Sequence, residues 1–310
     1  MSAFIDCEAE SNVDRMRAMN RIVRSLRPVA GWWSAPLPNF LIAGASRSGT
    51  TSLWNYLRSH PDVFMPAQKE LGFFDDDRFF ELGIDAYRRR FSGWNGQAAI
   101  GEATPRYFTT GILRDSLGDY SYCPDDDSAV RIADVIPDVK SILSLRDPVR
   151  RAFSQYQKRR VKGTESAVTF RQAIEEELDG WRLPQRDPRC LVHANQYSRH
   201  VQRWFRRFPN SQVKILVFEA WTKAPAATYL DLCSFLNISL NCPVSEFAVH
   251  NSALTDVRGH RLRKTARLDI APLDEETYAD IWKVFQPDVI QLEQMLGYRV
   301  SENWGQWCHA

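Results

Sequence analysis

No run of this chain approaches the roughly 18 apolar residues of a membrane-spanning helix, and no apolar segment follows the N-terminus as in a secretory signal. We therefore expect no transmembrane segment and no secretory leader. The six cysteines, Cys7, Cys123, Cys190, Cys233, Cys242 and Cys308, form no CxxC pair. None of the six histidines has a partner at metal-ligand spacing either. No metal centre is expected. Reduced thiols are expected in place of a disulfide framework, which favours a cytoplasmic location. Repeats and low-complexity tracts are absent, so a single domain is the economical reading. Charge of one sign is not in excess: the net charge of +2 neither indicates nor excludes an anionic partner, because a local arginine cluster can sit in a neutral total.

What remains is ordinary for a soluble globular protein. The 310 residues are 44% apolar and 25% charged, enough for one large α/β domain or two small ones. Residues 1–38 carry Arg15, Arg17, Arg21, Arg24 and Arg27, but Asp6, Glu8, Glu10 and Asp14 argue against a transit peptide, which is poor in acids. We read this stretch as an arm ended by the breakers between Pro28 and Pro38, ahead of a single domain over residues 39–310.

The organising stretch is FLIAGASRSGTTSLWNYL, Phe40 to Leu57. Phe40 to Ala43 read as a buried strand; Gly44 and Gly49 bracket a loop; Leu53 and Leu57 then fall at helical spacing. Strand, glycine loop and helix in that order make an anion site, since loop amides and the unpaired N–H groups of the helix start converge on one point. The loop lacks the lysine that a Walker A sequence places directly after its second glycine. Thr50 and Thr51 stand there, and the cation, Arg47, precedes Gly49 by two residues.

A second signal is VKSILSLRDPVRRAFSQYQ, Val139 to Gln157. Ile142 to Leu145 read as a strand, and Asp147 with Pro148 as a helix N-cap and N1 proline. Arg146 stands at the strand's carboxyl end, where open α/β sheets bind ligands, and its fork of donors suits a phosphate. Ser154 lies about two turns into the helix. Between the two signals, Glu70 in KELGFFD sits among apolar residues in a loop after the anion site, where partial burial would suit it as a general base. Glu102, ending the strand in QAAIGEATPRYF, is a second carboxylate candidate, with a capping or salt-bridge role equally open. The acids Asp75, Asp76 and Asp77 read as a solvated loop or cap. Val213 to Trp221 read as another buried strand and Pro225 to Leu236 as the helix after it, so the alternation predicts a parallel sheet.

Together ASRSGTTSL and LRDPVRRAFSQY resemble the two nucleotide-binding motifs of sulfotransferases that use 3′-phosphoadenosine 5′-phosphosulfate (PAPS). KELGFFD, GEATPRYF and CLVHANQYSRHVQRWF resemble the heparan sulfate sulfotransferase group and its bacterial relatives. The resemblance implies a P-loop-like, three-layer α/β fold around a central parallel sheet. It implies PAPS as donor, with Arg47, Ser48, Gly49, Thr50, Thr51 and Ser52 at its 5′ end, and Arg146 and Ser154 on its 3′-phosphate. Glu70 would be the base, Arg47 would stabilise charge on the bridging oxygen, and Arg258 and Gly259 would lie in a basic loop that closes over the phosphates. The acceptor would be a hydroxyl or amine of a glycan or small molecule, not a nucleic acid. Two departures stand out: Arg47 replaces the family's usual Lys, and Ala103 replaces the Lys usual in the heparan group. Two rivals are a P-loop kinase with VKILVFE or SILSLRD as its Walker B strand, and a non-catalytic nucleotide- or glycan-binding protein.

Overall fold

Apolar runs too short for helices form the sheet. The computed structural model describes residues 35–109, 111–114, 120–122, 127–180, 191–240, 247 and 270–305. The N-terminal arm therefore lies almost wholly outside the described residues, as do Arg258 and Gly259. The described fold belongs to the unit Pro36–Ala310.

Strand β1 (Phe40–Gly44) is buried at all five positions, as a strand covered on both faces must be. It is followed by β2 (Val63–Phe64) and β3 (Ala99–Ala103), then by a separate antiparallel pair, β4 (Ile112–Arg114) and β5 (Tyr120–Tyr122). The sheet is completed by β6 (Lys140–Leu145) and β7 (Val213–Val217). Its order is β2-β3-β1-β6-β7, with every pairing parallel. From β1 the chain runs outward to β2, whereas from β6 it runs the other way to β7. The carboxyl ends of β1 and β6 thus flank the point where the winding reverses, the usual ligand crevice of an open α/β sheet. The glycine loop leaves β1 there, and Arg146 follows β6.

Helix Thr50–Arg58 packs Leu53, Trp54 and Leu57 with Phe40 and Ile42 of β1 and with Tyr229, Leu232 and Leu236 of helix Pro225–Leu236. Each large apolar side chain buried there contributes about 1.5–3 kcal/mol. A second core joins Val149, Ala152 and Tyr156 of helix Pro148–Val161 to Phe170 and Ile174 of helix Phe170–Gly180 and to Tyr278, Ile281 and Phe285 of helix Glu275–Leu296.

Two expectations need correction. The run Val213 to Trp221 is not one strand: β7 ends at Val217, and Phe218–Lys223 is a helix. Apolar content alone does not separate strand from helix in so short a run. The helix brings Trp221 back against the glycine loop, where its Nε1 donates to Ser144 Oγ at 2.9 Å. Among the acids after Phe74, the capping alternative holds at Asp76 and the solvated one fails at Asp75. Asp75 and Asp76 are buried; Asp76 caps helix Asp77–Phe80 and binds Arg78, while Asp75 binds Arg106.

Candidate active site

The loop after β1 is held from behind by its carbonyls. Arg151 Nε donates to the Ser46 carbonyl at 2.7 Å, Arg146 Nη1 to that of Arg47 at 3.1 Å and Ser144 Oγ to that of Ser48 at 2.7 Å. The helix that begins at Thr50 has Gly49 at its N-cap and so no side chain satisfying its first amides. Those amides, with the positive end of the helix dipole, are available to an anion. Gly49 has φ of 76°, and a Cβ there would lie 2.3 Å from the Trp221 ring. Gly49→Ala is expected to lose about 2–4 kcal/mol of stability through overpacking and left-handed strain, read as a fall in the midpoint of denaturant unfolding. An unchanged midpoint would mean that the Trp221 contact is not a tight one.

The second cluster touches the first directly. Arg47 Nε donates to Ser154 Oγ at 3.0 Å, 107 residues away in sequence. Ser154 is 6% exposed, on the helix that Asp147 caps by accepting from Arg150 N at 3.0 Å. Arg146 lies over the Phe218 ring at 4.9 Å, and its Nε is buried without a hydrogen-bond partner among the described residues, as is Ser48 Oγ. Burial lowers the proton affinity of Arg47, and the charge of Arg146 lowers it further. Burial does the same to Arg146, against the opposing charge of Glu219. Two desolvated guanidiniums so placed would gain from a dianion.

The structure thus brings together Arg47, Ser48, Gly49, Thr50, Thr51, Arg146 and Ser154. Ser52 is also buried at the helix start, but its hydroxyl bonds Tyr56. Arg258 and Gly259 lie outside the described residues.

The sequence reading passed over three cations. Lys69 Nζ lies 3.1 Å from Thr51 Oγ1 and 3.5 Å from Thr50 Oγ1, its proton affinity lowered by burial although Glu70 opposes this. Thr51 stands where a Walker loop has its magnesium-binding hydroxyl, so here a fixed ammonium sits beside that hydroxyl. Arg151 anchors the loop, and Lys158 lies one turn beyond Ser154. Its ammonium is destabilised by desolvation first and then by Arg47. Arg151, Ser154 and Lys158 share one helix face at i+3 and i+4 spacing, the signal that finds them. Lys69→Ala is expected to slow release of the desulfated donor from PAPS about tenfold, without rescue by magnesium. Rescue by magnesium would restore the kinase reading.

Glu70 is not partly buried as expected. Its side chain is 44% exposed, with Lys69 Nζ at 3.6 Å and Arg106 Nη1 at 3.7 Å. The reason is a left-handed backbone turn, φ 60°, pinned by Glu70 N donating to the Ala103 carbonyl at 2.9 Å. The buried carboxylate is Glu102, 1% exposed, which accepts from Thr104 Oγ1 at 2.6 Å, Tyr107 OH at 2.8 Å and Tyr87 OH at 3.0 Å. Burial raises its proton affinity. Three hydroxyls enclose it, and none of these contacts is a salt bridge.

A parallel sheet with an uncapped helix start at its switch point, and Arg47 and Arg146 brought together there, defines an α/β domain of P-loop-like build. More specifically, residues 37–281 match the sulfotransferase domain family, and the chain belongs to it. It is 27% identical over 288 residues to the bifunctional heparan sulfate N-deacetylase/N-sulfotransferase 3 of Mus musculus, covering 87% of this chain and 31% of that protein. It is also 27% identical over 283 residues to human heparan sulfate glucosamine 3-O-sulfotransferase 3B1, covering 87% of this chain and 66% of that protein. Among solved structures, a sulfotransferase from Alicyclobacillus acidocaldarius superposes with a TM-score of 0.66 at 27% identity, over 86% of this chain and 99% of that one. The chain therefore spans about a third of the length of the N-deacetylase/N-sulfotransferase it matches. Among the described residues, no helix is long and apolar enough to cross a membrane, and no cluster of His, Cys, Asp or Glu could hold a metal ion.

Proposed function

We propose that this chain transfers a sulfuryl group from PAPS to a hydroxyl or amine of a glycan, with a small-molecule acceptor as the second class. The observation that carries this reading is the 3.0 Å bond from Arg47 Nε to Ser154 Oγ, which makes the two motifs one continuous anion site. The unpartnered Ser48 Oγ and Arg146 Nε, and the uncapped helix start, fit a ligand with negative charge at two ends.

Arg47, the amides at the helix start and Lys69 hold the 5′ end of the donor, while Arg146 and Ser154 hold the 3′-phosphate. As the bond between sulfur and the 5′-phosphate oxygen breaks, a bond from sulfur to the acceptor oxygen or nitrogen forms. Glu70 takes the acceptor's proton, and adenosine 3′,5′-bisphosphate (PAP) leaves. The protein's part is positioning and charge stabilisation, as in phosphoryl transfer. Arg47 stabilises charge on the leaving oxygen but is a poorer proton donor than the family's lysine. Residues 39–310 serve as one catalytic domain in this scheme, following the arm of residues 1–38 in sequence.

The test is incubation with sulfur-labelled PAPS and a panel of N-desulfated heparan oligosaccharides, other glycans and phenols. Label is expected in a glycan product with equal release of PAP. Intact PAPS after long incubation with every acceptor would favour binding without chemistry, and turnover that requires ATP and magnesium would favour a kinase.

A further inference from the structure

Glu70 is poorly held for a residue that must meet one acceptor proton. Its carboxylate is exposed, so packing does not fix its rotamer. Arg106 reaches one of its oxygens, and Arg106 is itself tightly held.

The guanidinium of Arg106 has two edges in use. Nε and Nη2 face Asp75, at 2.5 Å to Oδ2 and 3.3 Å to Oδ1, and Nη1 faces Glu70 Oε2 at 3.7 Å. Asp75 is 4% exposed; burial raises its proton affinity, and the charge of Arg106 opposes that rise. Arg106 sits on the turn Pro105–Phe108 directly after β3, so the sheet sets its origin. Gly72 clears the space: a Cβ there would lie 3.0 Å from Arg106 Nη2 and 3.4 Å from Asp75 Oδ1. A buried carboxylate is costly to keep for stability alone, whereas a fork anchored on it aims its remaining nitrogen accurately.

We infer that Arg106 is a positioning residue for sulfuryl transfer: anchored on Asp75, it holds the Glu70 carboxylate between itself and Lys69 at the mouth of the glycine loop. This rests on Glu70 being the proton acceptor. The Arg106 guanidinium spends its described contacts on Asp75 and Glu70, so its removal is expected to act on turnover more than on donor affinity.

The experiment measures PAP release from PAPS, with water as acceptor and again with N-desulfated heparan, alongside the calorimetric Kd for PAP. Arg106→Ala leaves Asp75 buried and unpaired, so the paired variant R106Q/D75N, which buries no charge, is measured beside it. Turnover is expected to fall about tenfold in R106Q/D75N with the Kd for PAP within twofold of wild type. Arg106→Lys, which keeps charge but not the fork, recovers part of it. In an E70Q background the same pair of substitutions costs nothing further. Undiminished turnover in R106Q/D75N overturns the inference, as does an equal cost in both Glu70 backgrounds or a parallel loss of PAP binding. Wild-type turnover in E70Q alone would instead remove the reading of Glu70 as the base.

Discussion

Glu70→Gln is expected to lower turnover by about 10²-fold or more while leaving the Kd for PAP unchanged. The substitution keeps the shape of the side chain and removes its charge and its capacity to take a proton. Lys69 and Arg106 lie 3.6 and 3.7 Å from different carboxylate oxygens, so the amide oxygen can face one of them while the amide nitrogen faces the other, and the side chain keeps its reach but only one of its two cation contacts. The donor contacts proposed for Arg47, Arg146 and Ser154 lie on other elements and are untouched, and Lys69, which pairs with Glu70, keeps its contact with the Thr51 hydroxyl. Turnover by stopped assay and PAP binding by calorimetry separate the two effects. Full turnover in the variant would transfer the base role elsewhere. Glu102 is a poor substitute, because its carboxylate is enclosed by three hydroxyls and almost fully buried.

Arg146→Ala is expected to act in the opposite way, weakening PAP binding about 10- to 100-fold while turnover at saturating donor changes little. A hydrogen bond to a charged group contributes about 1.5–3 kcal/mol, which corresponds to that range. Arg146 also supports the loop by donating to the Arg47 carbonyl at 3.1 Å. Arg146→Lys should therefore recover only part of the affinity, since an ammonium cannot serve carbonyl and phosphate with one planar fork. An unchanged Kd would detach Arg146 from the donor.

The parts of this architecture that were legible in the sequence are those set by local rules. The apolar residues Phe40 to Ala43, and Ile142, Leu143 and Leu145, read as strands, and they lie in the strands Phe40–Gly44 and Lys140–Leu145 of the sheet. Asp147 and Pro148 announced a helix start by their chemistry, and the Asp147 side chain caps it. Pro225 to Leu236 is a helix with the expected bounds. The glycine loop could be placed because strand, loop and helix follow one another without interruption.

What escaped the reading depends on partners far away in sequence. Asp75 read as solvated because nothing local reveals Arg106, 31 residues later. Lys69 belongs to no periodic pattern, and only the fold brings its ammonium to the Thr51 hydroxyl. The apolar neighbours of Glu70 suggest partial burial, but its backbone is left-handed and its carboxylate is exposed. Trp221 reads as strand from its apolar neighbours, although the chain enters a helix three residues earlier and uses that tryptophan to back the loop.

The central claim is that the glycine loop and the Arg146–Ser154 cluster act as one site on a single nucleotide with phosphates at both its 5′ and 3′ ends. Calorimetric titration of the full chain with PAP, with adenosine 5′-monophosphate and with ATP plus magnesium tests it most directly. PAP is expected to bind about 10- to 100-fold more tightly than the monophosphate, the worth of a charge-assisted contact to the extra phosphate. Equal affinity for PAP and the monophosphate, or tighter binding of ATP with magnesium, would contradict it.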